Sequence, residues 1–265
     1  MRLLFIKLGG SVITDKTTPL RARPQVLRRL GLEIAEALRR GGARLLLGNG
    51  GGSFAHYFAR PLLSPKPPEG PELHRAAMRV HSAAAQLNGL VVEALLGAGV
   101  PAVGFSPLSS ALAHAGRILL WELQPMRRAL EQGLVPVIHG DVLLDLERGY
   151  SIFSTERLFH HLALQLRPER VIVGTDVDGV YAQDPKRSRH AQRLERVTQD
   201  LLKAVPELPT RAIDVTGGMR EKLNTLLQLS RDLGIECEVI NARRPGLLRR
   251  AILGERGLGT VVAWA

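Results

Sequence analysis

Two glycine-rich segments contain the residues whose types and spacing best fit phosphate chemistry. Residues 7–11 read Lys-Leu-Gly-Gly-Ser, and residues 49–53 read Asn-Gly-Gly-Gly-Ser, with His56 shortly after them. Glycines leave backbone N–H groups unshielded, so a glycine turn between a strand and a helix can hold an anion. The two segments therefore indicate phosphate binding, although each motif taken alone is also consistent with a tight turn and a solvated side chain.

A third group of candidate residues lies in the second half of the chain. Asp176, Asp178 and Gly179 follow a strand-like run, and Lys222 follows a Thr-Gly-Gly sequence within residues 214–219. The Asp-x-Asp-Gly spacing is shared with calcium loops, but no glutamate closes the loop and a strand precedes it, so we reject an EF-hand. An ordinary helix start with a capping threonine also accounts for the Thr-Gly-Gly part.

The scarcity of lysine adds weight to these motifs. Only six of the 36 basic side chains are lysines, and three of them, Lys7, Lys16 and Lys222, lie in or next to glycine-containing motifs. Arginine is the default cation of this chain, so a retained lysine indicates that a compact point charge is needed at that position.

Charge and composition exclude several classes of protein. The formal charge of +11 would suit nucleic acid, but the arginines are spread along the chain and no aromatic residues alternate with them, so we expect no nucleic-acid partner. The single cysteine, Cys237, cannot form an intrachain disulfide. No apolar run approaches the roughly 18 residues of a membrane span. We expect a cytoplasmic protein without a signal peptide, an anchor or a membrane partner.

The elements that must position these residues alternate along the chain. Short leucine-rich or β-branched runs alternate with longer segments of helical period, which predicts an α/β fold, a three-layer αβα sandwich with a mostly parallel central sheet. We predict a single domain over residues 1–265. A soft boundary near residue 165 would separate a phosphate-acceptor lobe, residues 1–165, from a nucleotide lobe, residues 166–265.

The predicted strands end where the candidate motifs begin. They span residues 3–8, 44–47, 100–105, 134–139, 170–174, 236–240 and 260–264, with short hairpin strands at 118–121 and 150–153. The predicted helices span residues 24–38, 73–96, 125–131, 155–166, 217–233 and 246–253, and a further one contains His56. Residues 61–71 contain five prolines, which predicts a surface loop or flap.

Taken together, the motifs resemble those of the amino-acid-kinase superfamily, and their order covers almost the whole chain. They are residues 7–11, 50–54 with His56, 136–141, 175–181, and 214–219 with Lys222. Within the superfamily, His56, Lys16 and the Gly-Thr pair at 259–260 are most similar to the pattern of isopentenyl phosphate kinases. The resemblance implies phosphoryl transfer from ATP to isopentenyl phosphate, giving isopentenyl diphosphate and ADP for isoprenoid precursor synthesis.

The resemblance also implies roles for individual residues. Lys7 and Lys222 would hold the ATP phosphates and the transferring group, Lys16 would stabilise the transition-state charge, His56 would bind the acceptor phosphate, and Glu156 would organise the lysines. Further ATP contacts would come from Gly9, Gly10, Ser11, Gly51, Asp176, Asp178, Gly179 and Gly218. Further acceptor contacts would come from Gly50, Gly51, Ala55 and Thr155. The implied cofactors are ATP and Mg²⁺, with no metal site of the protein's own, and the implied assembly is a homodimer.

Three parts of the sequence depart from the family pattern. Asn49 stands where the family has a histidine before the glycines, and Ala55 stands where it has a glycine before the catalytic histidine. The family's Ser-Gly-Asp is here Ser-Thr-Glu at residues 154–156, so Glu156 keeps the charge while Thr155 lacks the freedom of glycine.

Other functions remain open at this stage. A fosfomycin-type phosphonate kinase has the same lysine and histidine layout, and a non-catalytic ligand-sensing member would keep the fold. Apolar residues on the helix after the flap favour an alkyl acceptor, although helical spacing alone also predicts them as core: Met78, Leu87, Leu90 and Val91. A dinucleotide-dependent dehydrogenase fits less well, because neither glycine segment follows the Gly-x-Gly-x-x-Gly pattern.

Overall fold

Strands and helices alternate through the part of the chain that the structure, a computed structural model, describes: residues 2–15, 17–41, 43–182, 191–204 and 218–264. The strands there are β1 Leu3–Leu8, β2 Arg44–Asn49, β3 Ala102–Gly104, β4 Ala111–His114, β5 Arg117–Trp121, β6 Val135–His139, β7 Asp141–Asp145, β8 Gly149–Phe153, β9 Arg170–Thr175, β10 Arg196–Val197, β11 Cys237–Asn241 and β12 Thr260–Val262. The helices there are α1 Gly10–Ile13, α2 Pro24–Gly41, α3 Gly52–Ala59, α4 Gly70–Gly97, α5 Gln124–Glu131, α6 Thr155–Leu166, α7 Gly218–Leu233 and α8 Leu247–Ile252.

A mostly parallel sheet forms the centre of the molecule. Within the described residues it has eight strands in the order β10-β12-β11-β9-β1-β2-β6-β3. Neighbouring strands are parallel except for β11 and β12. The carboxyl ends of β9, β1, β2 and β6 therefore meet at one edge, which is where open α/β sheets bind ligands.

Helices cover both faces of this sheet, which confirms the predicted three layers. Along β1, Leu3 and Phe5 face a core shared with α6 and α7, while Leu4, Ile6 and Leu8 face a second core shared with α2 and α4. Burial on both sides explains why β1 begins with four consecutive apolar residues, 3–6, rather than with an alternating pattern.

A second sheet lies beyond the end of β6. In the described chain it has four strands in the order β5-β4-β7-β8. The predicted hairpin strands are both present, but each pairs with a strand that the sequence did not reveal: β5 with β4 and β8 with β7. Those partners have four and five residues, too few to show a period of their own.

The proline-rich stretch contains more regular structure than predicted. A 3₁₀ turn spans Pro61–Leu63, and α4 begins at Gly70, three residues earlier than expected. Pro71 fits in the first turn of α4, because the N–H that proline lacks has no intrahelical partner there.

The four apolar residues of α4 that favour an alkyl acceptor do not line the cavity at the carboxyl edge of the central sheet. Leu87 and Val91 are fully buried in the core beside α2, and Leu90 packs against the same core. Met78 is on the surface, with 38 % of its area exposed. The core interpretation is therefore correct for Leu87, Leu90 and Val91 but not for Met78, and none of the four supports an alkyl acceptor by its position.

Candidate active site

The two predicted phosphate motifs meet at the carboxyl edge of the central sheet. Lys7 and Leu8 of β1 are in register with Gly48 and Asn49 of β2, so both glycine segments start at the same level. A cavity of about 430 Å³, including its open mouth, lies against them. Its lining contains six of the predicted site residues, Lys7, Gly50, Gly51, Ala55, His56 and Thr155.

Close packing of the two glycine segments explains why they lack side chains. A Cβ atom on Gly10 would lie 2.5 Å from the Cα atom of Gly52, and one on Gly50 would lie 2.9 Å from the backbone N of Gly10. Gly52 also has φ +51°, a left-handed conformation that favours glycine. The Thr14 hydroxyl accepts a hydrogen bond from the N–H of Ser53 (3.0 Å) and further fixes the two segments together.

We therefore expect Gly10→Ala to damage both stability and activity. The added methyl group would meet backbone rather than a flexible side chain, so the glycine segments would have to separate. Overpacking of this kind costs about 1–3 kcal/mol, which thermal unfolding would show, and ATP turnover would fall with it. Gly89→Ala is the matched control, because Gly89 lies in α4 with open space around it, and alanine there should stabilise the helix. A Gly10→Ala protein with native stability and turnover would contradict this packing argument.

A buried ion pair connects the first glycine segment to α6. Lys7 forms a salt bridge with Glu156, and both side chains are almost inaccessible to water. Burial alone would raise the pKa of Glu156. The positive charges of Lys7 and of Lys222, which lies on α7, and the hydrogen bond from Lys7 outweigh this effect, so the pKa of Glu156 is below its usual value. Glu156 is therefore a carboxylate between two lysines, the arrangement that the family resemblance implied for this position.

His56 lies in the second turn of α3. It lines the cavity beside Gly51, and a Cβ atom on Gly51 would lie 3.5 Å from the Cδ2 atom of His56. The imidazole is thus placed next to backbone groups of the second glycine segment, where an anion held by those groups would be within its reach.

Part of the cavity lining is apolar. Ala59 of α3, Val80 of α4, and Ile152 and Phe153 of β8 contribute to it. Small alanines let α3 and α4 approach each other beside these residues. The lining therefore combines a lysine, a histidine and glycine amides with hydrocarbon groups, which matches a short apolar chain that carries a phosphate.

The departures from the family pattern make specific contacts. The Asn49 side chain accepts a buried hydrogen bond from Asn88 of α4 (2.9 Å), and the Thr155 hydroxyl donates to the carbonyl of Asn49 (2.8 Å). Asn49 thus connects β2 to α4, and Thr155 connects β2 to α6. Thr155 lines the cavity itself, whereas Asn49 is fully buried and precedes the lining residue Gly50.

The predicted nucleotide residues lie at the same sheet edge, next to β1. The N–H of Gly9 donates to the carbonyl of Gly174 near the end of β9, shortly before the loop of residues 176–179. The Asp178 carboxylate accepts hydrogen bonds from Asn241 (2.7 Å) and Arg244 (2.6 Å), so it holds this loop against the end of β11. Gly218 begins α7.

Some of the predicted site residues are not found in the cavity lining or lie outside the described residues. Ser11 lies in the short helix α1 and is not part of the cavity lining. Lys16 and residues 214–217 lie outside the described residues.

Other cavity residues were not singled out from the sequence. Gly140 and Asp141 belong to a Pro-Val-Ile-His-Gly-Asp motif to which the sequence assigned no role, and Ser154 caps α6. Ile152 and Phe153 were recognised as part of a strand, but only the pairing of β8 with β7 shows which residues reach the cavity.

Two classes of feature are not found in the described part of the chain. Its side chains form no cluster of three or more histidine, cysteine, aspartate or glutamate residues able to hold a metal ion. None of its helices combines the length and the apolar character needed to cross a bilayer.

Comparison with known proteins agrees with the residue pattern. The amino acid kinase family matches residues 2–241. The isopentenyl phosphate kinase of Methanothermobacter thermautotrophicus is 41 % identical over 97 % of this chain and 98 % of its own length. That of Methanocaldococcus jannaschii is 29 % identical over 96 % of both chains. A solved isopentenyl phosphate kinase structure superposes with a TM-score of 0.82 at 38 % identity, covering 98 % of this chain and 99 % of the other. The chain therefore belongs to the amino acid kinase family and, within it, to the isopentenyl phosphate kinases.

Proposed function

We propose that this protein transfers the γ-phosphoryl group of ATP to isopentenyl phosphate. The observation that carries the proposal is the mixed lining of the cavity, in which Lys7, His56 and the glycine amides occur together with hydrocarbon side chains. An alkyl phosphate is complementary to both kinds of group. A small polar phosphonate would leave the apolar part of the lining without a complementary group, which disfavours a fosfomycin-type acceptor.

The residues are proposed to act by positioning and by charge. An oxygen of the acceptor phosphate attacks the γ-phosphorus, the bond between that phosphorus and the β–γ bridging oxygen breaks, and ADP leaves with the electron pair. The acceptor is a phosphate monoester that is largely ionised near neutral pH, so no general base is required. Lys7, Lys16 and Lys222 balance the charge on the transferring group, and His56 donates to the acceptor phosphate.

The proposed nucleotide site lies on the β9 side of the same sheet edge. Gly10 leaves its backbone N–H group near the phosphates, and Gly9 ties this segment to β9 through its hydrogen bond to Gly174. The loop of residues 176–179 and the start of α7 at Gly218 border the nucleotide. In this arrangement the acceptor lies over residues of the first lobe, 1–165, and ATP lies over those of the second, 166–265.

Mg²⁺ is proposed to arrive with ATP. The described side chains do not form a dedicated metal cage, and Mg²⁺ commonly binds through nucleotide phosphates, waters and one or two carboxylates. The ion neutralises phosphate charge when it is bound. Assembly as a homodimer and a cytoplasmic location remain predictions from the sequence.

A panel of acceptors tests the proposal. ATP consumption is measured with isopentenyl phosphate, dimethylallyl phosphate, fosfomycin, UMP and N-acetylglutamate at matched concentrations. We expect kcat/KM to be highest for isopentenyl phosphate and lower for any acceptor without an alkyl phosphate. A clear preference for fosfomycin or UMP would show that the apolar part of the cavity lining does not select the acceptor.

Replacement of Glu156 by glutamine should lower turnover more than it weakens ATP binding. The neutral amide would leave the Lys7 ammonium buried without its counter-ion, and removal of one partner of a buried pair costs about 3–5 kcal/mol. Both the melting temperature and kcat should therefore fall. The matched control is Glu72→Gln, which removes an exposed partner of Arg75 and should change neither. Unchanged turnover in Glu156→Gln would refute the organising role of this carboxylate.

A further inference from the structure

A histidine–carboxylate pair lies beside the acceptor cavity and has no part in the phosphate chemistry described so far. The Nδ1 atom of His81, on α4, is 3.0 Å from both carboxylate oxygens of Asp141. The Asp141 carboxylate also accepts hydrogen bonds from the N–H groups of Leu108 (3.2 Å) and Val142 (2.8 Å). Its side chain is fully buried, whereas 23 % of the His81 side chain is exposed.

Asp141 belongs to the wall of the acceptor cavity. His139, at the end of β6, is in register with Asn49, at the end of β2, and the N–H of Gly140 donates to the carbonyl of Asn49. Gly140 and Asp141 therefore follow β6 at the same sheet edge where the glycines follow β2, and both line the cavity. A carboxylate here would repel the acceptor phosphate if its charge were not balanced.

We propose that His81 is a positioning residue that acts on acceptor binding through Asp141. Its imidazolium balances the negative charge of this carboxylate in the cavity wall, so that a doubly charged acceptor phosphate can bind there. This inference rests on the proposed function, because it assumes a phosphate-bearing acceptor. His81 itself does not line the cavity, so its effect is on acceptor binding rather than on the transfer step.

The neighbouring groups favour the charged form of His81. The hydrogen bond to Asp141 raises the pKa of His81, and burial lowers it. The negative charge of Asp141 raises the pKa further, so the net shift is upward. Burial lowers the pKa of His139, whose ring centroid is 6.1 Å from that of His81, so His139 stays neutral. Within the described residues, the ionisable groups that face His81 are Asp141 and His139, and the Nδ1 atom of His139 lies 3.8 Å from the carboxylate of Asp141.

The direction of the pH dependence follows from the raised pKa. His81 is charged below that pKa, so its contribution to acceptor binding is present there and is lost as the pH rises through it. The acceptor phosphate is already largely doubly charged above neutral pH. We therefore expect the KM for isopentenyl phosphate to rise on the alkaline side, while the KM for ATP stays level.

The test compares His81→Gln with the double variant His81→Gln/Asp141→Asn. The single variant keeps a hydrogen-bonding side chain but leaves the carboxylate unbalanced, so the KM for isopentenyl phosphate should rise about tenfold, which corresponds to about 1.4 kcal/mol of charge repulsion. Its kcat and its KM for ATP should change little, and the alkaline rise in KM should disappear. The double variant has a neutral amide pair and should recover most of the lost acceptor affinity.

His74→Gln is the matched control, because His74 lies two turns earlier on α4, away from the cavity, and contacts the hydroxyl of Tyr150 (3.0 Å). It should leave every kinetic constant unchanged. A native KM in His81→Gln, or an alkaline rise in KM that persists in it, would overturn the proposal. Activity of the wild-type protein is measured first: its absence with isopentenyl phosphate would refute the proposed function, and the His81 variants would then be compared with the acceptor that the protein does use.

Discussion

Replacing Lys222 or Lys7 with arginine is expected to lower kcat about a hundred- to a thousandfold, although the positive charge is kept. Lys7 is packed against Glu156 in an almost inaccessible position, and Lys222 acts on the same carboxylate from α7. A planar guanidinium is bulkier than an ammonium group and spreads its charge over a fork. Loss of one contact made mainly in the transition state costs about 2.7–4 kcal/mol, which gives the expected factor.

Lys66→Arg is the control for this series, because Lys66 is exposed in the proline-rich stretch and should tolerate the change. Lys16→Arg tests the third lysine implied by the family pattern and should behave like the first two. Steady-state kinetics with ATP and isopentenyl phosphate measure all four variants. Near-native turnover at Lys7, Lys16 and Lys222 would mean that charge alone suffices and that the lysine argument is wrong.

Replacing His56 with alanine is expected to remove most acceptor phosphorylation while ATP affinity changes little. His56 lines the proposed acceptor cavity next to Gly51, so the lost donor would belong to the acceptor phosphate rather than to the nucleotide. His56→Gln should retain part of the activity, because the amide keeps a hydrogen-bond donor. Turnover with isopentenyl phosphate and a separate ATP-binding measurement distinguish the two effects.

Tyr57→Ala is the neighbouring control for His56. Tyr57 is the next residue of α3, but 44 % of its area is exposed and it does not line the acceptor cavity. Its removal should leave turnover close to native. Full activity of His56→Ala with every alkyl phosphate tested would exclude His56 from the site.

Most of the fold could be predicted because its elements have strong, separate patterns. The strand β1 begins with an apolar run of four residues, and α2 shows helical spacing of its leucines, so their bounds were predicted within a few residues. The strands β4 and β7 were missed because each owes its conformation to a partner strand rather than to its own few residues. The helix α4 begins within the stretch of residues 61–71 whose five prolines predict a loop, because proline is well tolerated in the first turn of a helix.

The candidate site was predictable where backbone chemistry defines it and less so where tertiary packing does. The glycine segments, Lys7 and His56 stand out in the sequence, because anion binding requires exposed amides and a compact charge. The apolar part of the cavity lining could not be recognised in the sequence. Val80 of α4 looks no different from Val91 of the same helix, and only the folded chain shows that the first lines the cavity and the second lies in the core.

The identity of the product tests the central claim most directly. The protein is incubated with ATP, Mg²⁺ and isopentenyl phosphate, and the products are followed by phosphorus NMR. We predict that the monoester signal is replaced by a pair of coupled diphosphate-ester signals, in equal amount to the ADP formed, and that His56→Ala greatly slows their appearance. ADP released without a diphosphate ester, or no reaction with this acceptor while another in the panel is phosphorylated, would contradict the account.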